Sequence, residues 1–188
     1  MTNTTKYSIG ALALLILLYL GNQNSQSSYK AEGEPIYSGS SENVHRILLT
    51  EEDKKLELVR SDTTWKITQA DSFTIKDFQI DKVFDRLLKV EQEMLISSKA
   101  EKWSKFGVDD SSGRHFQVYD ENNNELLHYV FGNSGQDYQH NYIRENGSSE
   151  VYRTNDNVYF LLNSNVNYWG SKPPEPDKEP ALEAKEEN

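Results

Sequence analysis

The chain contains no cysteine. That one absence excludes disulfide staples, thiolate nucleophiles, cysteine-ligated zinc and lipidation of an N-terminal cysteine, although it leaves the compartment open. Basic residues are also scarce: 20 Lys and Arg stand against 30 Asp and Glu, for a formal net charge of −10. Residues 173–188 hold six acids against two lysines, so that stretch carries −4 and the remainder −6. Nothing here clusters enough positive charge to neutralise successive phosphates, which argues against nucleic acid as a partner.

Catalytic and metal motifs are missing as well. Asp120, Asn122 and Asn124 have the alternate spacing of a calcium loop, but Glu125 stands where glycine is needed and Phe131 where the bidentate Glu should be. The segment reads as a hairpin turn. Gly132-Asn133-Ser134-Gly135 lacks the second glycine of a nucleophile elbow, because Gln136 occupies that position. The histidines (His45, His115, His128, His140) are scattered, and none lies in an H-E-x-x-H helix. His115 and His128 can meet across a hairpin, where ordinary side-chain pairing is favoured over a metal site. No cofactor is expected, and no nucleophile and base stand at a usable spacing, so the chain is not expected to be an enzyme.

What the chain does have begins with an unbroken apolar run, Ile9 to Leu20, preceded by Lys6. A spanning helix needs about 20 apolar residues, and this run is shorter. Tyr7 and Tyr19 at the two interfaces and a snorkelling Lys6 extend the span from Thr5 to Gly21. Only Ser25-Gln26-Ser27 offers small residues for cleavage, in a poor pattern. Residues 1–21 are therefore read as an uncleaved membrane anchor, ahead of a cleaved signal segment or a core helix. Positive charge precedes the run, and Lys30 after it is offset by Glu32 and Glu34. The N-terminus is expected on the inner side of the membrane, with the rest on the far side. Residues 22–43 read as a flexible linker, 44–172 as one folded domain, and 173–188, rich in Pro and Glu, as a disordered acidic tail.

Within the domain, Val44 to Leu49 and Lys55 to Arg60 predict a hairpin, and Trp65-Lys66-Ile67 a third strand facing the core. Ile80, Val83, Phe84, Leu87 and Leu88 recur at helical spacing, which predicts an amphipathic helix capped by Asp77. Met94-Leu95-Ile96 then predicts a strand. Ser98 with Glu101 forms a capping-box pattern, so a short helix is expected to start there and to stop at Gly107. His115 to Tyr119 and Glu125 to Phe131 predict another hairpin, followed by strands at Tyr138 to Arg144 and Glu150 to Arg153. Asp156 is placed to cap a short helix through Leu162. The fold class is α+β: a mostly antiparallel sheet meander with a few short helices, in two halves that share a strand-then-helix plan.

Period-two alternation through Tyr138 to Arg144 puts Tyr138, His140, Tyr142 and Arg144 on one face, the most binding-like surface in the chain. The competing reading is core packing, with Arg144 in an internal salt bridge. It is favoured because one face of a sheet must be covered.

The order of strand, amphipathic helix, strand and short helix closing on Phe106-Gly107-Val108-Asp109, then a meander with Tyr142-Ile143-Arg144 and Val151-Tyr152, resembles the bacterial domain of unknown function DUF4340. The resemblance covers Val44 to Lys172 and includes the Trp169-containing segment Asn165 to Lys172. It implies a family of unknown activity, often encoded beside components of ABC-type transport systems of the gliding-motility-associated kind. The expected role is a non-enzymatic accessory or scaffold protein contacting transporter subunits. The alternative is an extracytoplasmic glycan- or peptide-binding module using the Tyr138 to Arg144 face.

Overall fold

Apolar residues at alternate positions, with turn residues between them, lay down nine strands that hydrogen-bond into one antiparallel sheet. The structure, a computed structural model, describes residues 7, 10, 12–19, 30–134 and 137–173. The strands are β1 (Lys30–Pro35), β2 (Arg46–Glu51), β3 (Lys54–Ser61), β4 (Thr64–Ile67), β6 (Glu91–Ser97), β7 (Arg114–Tyr119), β8 (Glu125–Ser134), β9 (Asn141–Glu145) and β10 (Val151–Thr154). Their order across the sheet is β1-β6-β10-β9-β8-β7-β2-β3-β4. β5 (Thr74–Ile75) and β11 (Gly170–Ser171) form a separate two-stranded pair. Strands β7 to β10 lie together in the middle and the earlier strands flank them, so both halves of the chain build one sheet.

One face carries the main core. Ile47, Leu49, Leu56, Leu58, Phe116, Val118, Phe131 and Ile143 are all buried there. Over them pack Ile80 and Val83 of helix α1 (Asp77–Asp85), Leu87 and Leu88 of the 3-10 turn that follows, and Leu161, Leu162 and Trp169 from the end of the domain. Each such side chain is worth roughly 1.5–3 kcal/mol when removed from water. The mostly antiparallel α+β architecture with short helices is as expected. The similarity of the two halves does not extend to their helices, because among the described residues β10 is followed only by a three-residue 3-10 turn (Tyr159–Leu161) and the four-residue helix α3 (Val166–Trp169).

Three local expectations are corrected. The segment read as linker at 22–43 contains β1, which pairs with β6, and the buried Ile36, whose N–H bonds to the Val90 carbonyl at 2.9 Å. Its Lys-Ala-Glu-Gly-Glu-Pro sequence lacks alternation because it is an outer strand whose partner supplies the pairing. Asp77 is the first helical residue of α1 and not its cap; Lys76 precedes it and makes no side-chain cap bond. Asp156 does not cap the 159–161 turn either. The Asn141 side-chain oxygen accepts from the N–H groups of Val158 and Tyr159 at 2.7 and 3.0 Å, while Asp156 pairs with Arg86 at 2.6 Å. Asn141→Leu would strip the Val158 N–H of its acceptor and leave the Tyr159 N–H only the longer bond to the Asn157 side chain at 3.3 Å, and denaturant unfolding is expected to show a loss of about 2 kcal/mol. The tail, beyond Pro173, lies outside the described residues.

Candidate functional site

The second face of the sheet is covered at one corner by the joint between the two halves. Helix α2 (Trp103–Phe106) ends at Gly107, which takes the left-handed φ of 64° that its position required. The capping box does not form. A 3-10 turn (Ala100–Lys102) precedes α2 with Lys99 at its cap, and the Ser97 hydroxyl accepts from the Lys99 N–H at 3.2 Å. Trp103, Phe106 and Val108 then close over Val130 and Val151, with Tyr142 packed on Phe106 at 4.9 Å between ring centroids. Gly107→Val is expected to lower stability by about 1 kcal/mol or more through backbone strain, read as a fall in melting temperature.

This corner decides the fate of the proposed binding face. Arg144 is only 1% exposed: it donates to the Val108 carbonyl at 3.0 Å, pairs with Asp110 and lies 3.9 Å from the Trp103 ring centroid. Tyr142 is half-buried beside it. His140 and Tyr138 fall before β9, where Tyr138 has a φ of 56° and is 79% exposed. His140 turns to Asp137 at 2.6 Å. The four residues therefore do not share an exposed face. Two are internal supports of the joint, and the left-handed turn at Tyr138 breaks the alternation that would have aligned the others.

His115 and His128 do meet, ring nitrogen to ring nitrogen at 2.9 Å, and His115 also reaches the Asp110 carbonyl at 3.1 Å. No group of three or more metal-ligating side chains gathers among the described residues. Burial pushes the His128 imidazole below its ordinary value of 6.5, with His115 adding to the effect and Glu125 opposing it. Because the folded state takes up this proton less readily than the unfolded one, the contribution is complete above the unfolded pKa and is lost as pH falls through the folded one. Unfolding measured across that range should show the loss in the native chain and a flatter profile in His128→Gln.

Three other surfaces have the shape of recognition sites. Beyond the joint, the second face carries Arg46, Glu57, Gln117 and Tyr119, half-buried and bonded to one another; Arg46 lies 3.6 Å from the Tyr119 ring centroid and 3.1 Å from Glu57. They alternate with the buried Ile47, Leu56, Leu58, Phe116 and Val118 and so fall opposite the core. On the helical side, two adjoining hollows of about 330 and 370 Å³ share Ser41 and Phe84 and make a groove. Trp65, Phe84 and Tyr37 line it, with Arg60, Asp77 and Asp81. A third hollow of about 410 Å³ brings Glu34, Glu145 and Glu150 beside the hydroxyls of Tyr129 and Tyr152. Burial raises both phenols above their ordinary range, Tyr152 to about 12 with help from its bond to Glu150. All three surfaces draw residues from several separate elements, which is why local reading missed them.

No curated protein and no solved structure matches the chain. The family model described as Domain of unknown function (DUF4340) matches residues 65–174, from β4 through β11. The match begins later than the expected Val44, leaving β1 to β3 outside it although they complete the same sheet. Because it takes in more than half of the 188 residues, this chain belongs to the DUF4340 domain family.

Proposed function

We propose that the chain is a non-enzymatic, membrane-anchored extracytoplasmic domain that serves as an accessory or scaffold of an ABC-type transport system. One observation carries the anchor. Residues 12–19 are helical, and Leu12, Leu14, Leu15, Ile16, Leu17 and Leu18 are each 50–67% exposed. A helix apolar on all sides, with its side chains left open by its own chain, is satisfied by an apolar medium. No helix among the described residues is long and apolar enough to cross a membrane, so the proposed span also draws on the flanking residues of 1–21. The sheet starts at Lys30, and the chain between 20 and 30 can span at most about 35 Å, which keeps the domain next to the bilayer. The network on the second face, around Arg46 and Tyr119, gives such a domain a polar surface for a partner subunit.

Affinity purification of the full-length chain from solubilised membranes tests the scaffold role. Transporter subunits should be recovered, and recovery should survive deletion of residues 173–188 but be lost in Tyr119→Glu. Tyr142→Asp would disturb the joint and would not report on the face. Recovery of no subunit with the native chain contradicts the role. A second reading, a glycan- or peptide-binding module, is favoured by the aromatic groove at Trp65, Phe84 and Tyr37. Specific binding of a soluble glycan or peptide, lost in Trp65→Ala, would establish it.

A further inference from the structure

We propose that the outer surface of the helical layer docks on anionic lipid, an inference that rests on the anchor reading above. Phe78 and Phe160 stand 54% and 46% exposed, and Tyr138 79%. These large apolar groups are not scattered. The Lys82 ammonium lies 5.0 Å from the Phe78 ring and the Arg86 guanidinium 5.2 Å from the Phe160 ring. Arg86 also donates to the Asn157 carbonyl at 3.3 Å, and the Asn157 side chain donates to the Tyr138 carbonyl at 2.8 Å. Lys76, at the start of helix α1, reaches the Asn167 carbonyl at 2.7 Å.

Helix α1 sorts its charges to make this surface. Phe78, Lys82 and Arg86 succeed one another at every fourth position, on one stripe. The acids Asp77, Asp81 and Asp85 form the neighbouring stripe, which lines the groove beside Trp65 and Tyr37. Beyond that stripe, Asp156 and Asp137 are the acids nearest the patch among the described residues, and both are paired, with Arg86 and His140 respectively. Exposed aromatic rings interleaved with cations suit the boundary between headgroups and acyl chains, where the rings partition and the cations meet anionic phosphates.

Position agrees with chemistry. Arg86 comes just before β6 and Asp156 just after β10, the two strands nearest β1. Lys30 pairs with Met94, about 10 Å along β6 from its Arg86 end. The chain that leads from the apolar run thus enters along the edge strand next to β6 and runs from Lys30 to Pro35 towards the patch. Docking this way turns the Arg46 and Tyr119 face, across the sheet, away from the bilayer and towards partner subunits.

The absence of cysteine makes a clean test. Single variants Phe78→Cys, Phe160→Cys and Lys55→Cys of the full-length chain, each carrying one spin label, are mixed with lipid nanodiscs of phosphatidylcholine with or without phosphatidylglycerol. Labels at 78 and 160 should lose access to a water-soluble nickel chelate and gain access to oxygen in the anionic discs only, while the label at 55 stays aqueous. Lys76→Gln with Lys82→Gln should weaken that protection, by roughly fivefold for each lysine. Labels at 78 and 160 as open to nickel as the one at 55, in a chain bound to anionic discs, overturn the docking. Disc binding reads the anchor separately. Binding to anionic discs alone with both labels protected keeps the docking and removes the anchor, whereas binding to neither disc overturns both.

Discussion

Gly132→Ala is expected to destabilise the domain by about 3 kcal/mol, which for a chain of this size is roughly a 10 °C fall in melting temperature. A Cβ at this position would overlap the carbonyl oxygen of Phe106, a backbone atom that cannot rotate aside, and would press on Val108. The joint would have to lift from β8, opening the packing of Trp103, Phe106 and Val108 over Val130 and Val151. The contrast with Gly107 isolates the cause. A Cβ at Gly107 would meet its neighbours only at an ordinary 3.6 Å, so the cost there comes from the left-handed backbone and not from a clash of the Cβ. Thermal unfolding of both variants should therefore rank Gly132→Ala well below Gly107→Val. Equal losses would mean that the joint is not held against the sheet at Gly132.

Replacement of Arg144 is the second large effect. Arg144→Ala removes a buried guanidinium that holds the Val108 carbonyl, pairs with Asp110 and stacks on Trp103, and a loss of about 3 kcal/mol is expected. The carboxylate left behind is 69% exposed and can be hydrated, so the loss comes mostly from packing and from the carbonyl bond. Arg144→Lys should recover little, since an ammonium cannot reproduce the planar fork or the stacking. Denaturant unfolding checks both. A full recovery in the lysine variant would show that charge alone matters at this position.

The elements that could be read from the sequence are those whose pattern is local. Ile80, Val83, Leu87 and Leu88 announce a helical face, and Leu56 and Leu58 a strand face, because burial selects them at the period of their own element. Gly107 announced the end of α2, since few other residues take its φ. What sequence could not show depends on partners far along the chain. β1 has no alternation of its own and exists because β6 pairs with it. The cap of the 159–161 turn comes from Asn141, on a neighbouring strand, and not from the nearby Asp156. Tyr138 to Arg144 has the right alternation for an exposed face, but the joint folds back over Tyr142 and Arg144, and the turn at Tyr138 takes the first two residues off the strand. The internal salt bridge of Arg144, weighed as the competing reading, is the arrangement found.

The most direct test of the membrane account is the N-terminal sequence of the mature chain recovered from fractionated cells. The account predicts a protein that begins at or near Met1 and is found with the cytoplasmic membranes. A chain beginning near Ser28 in the soluble periplasmic fraction would contradict it.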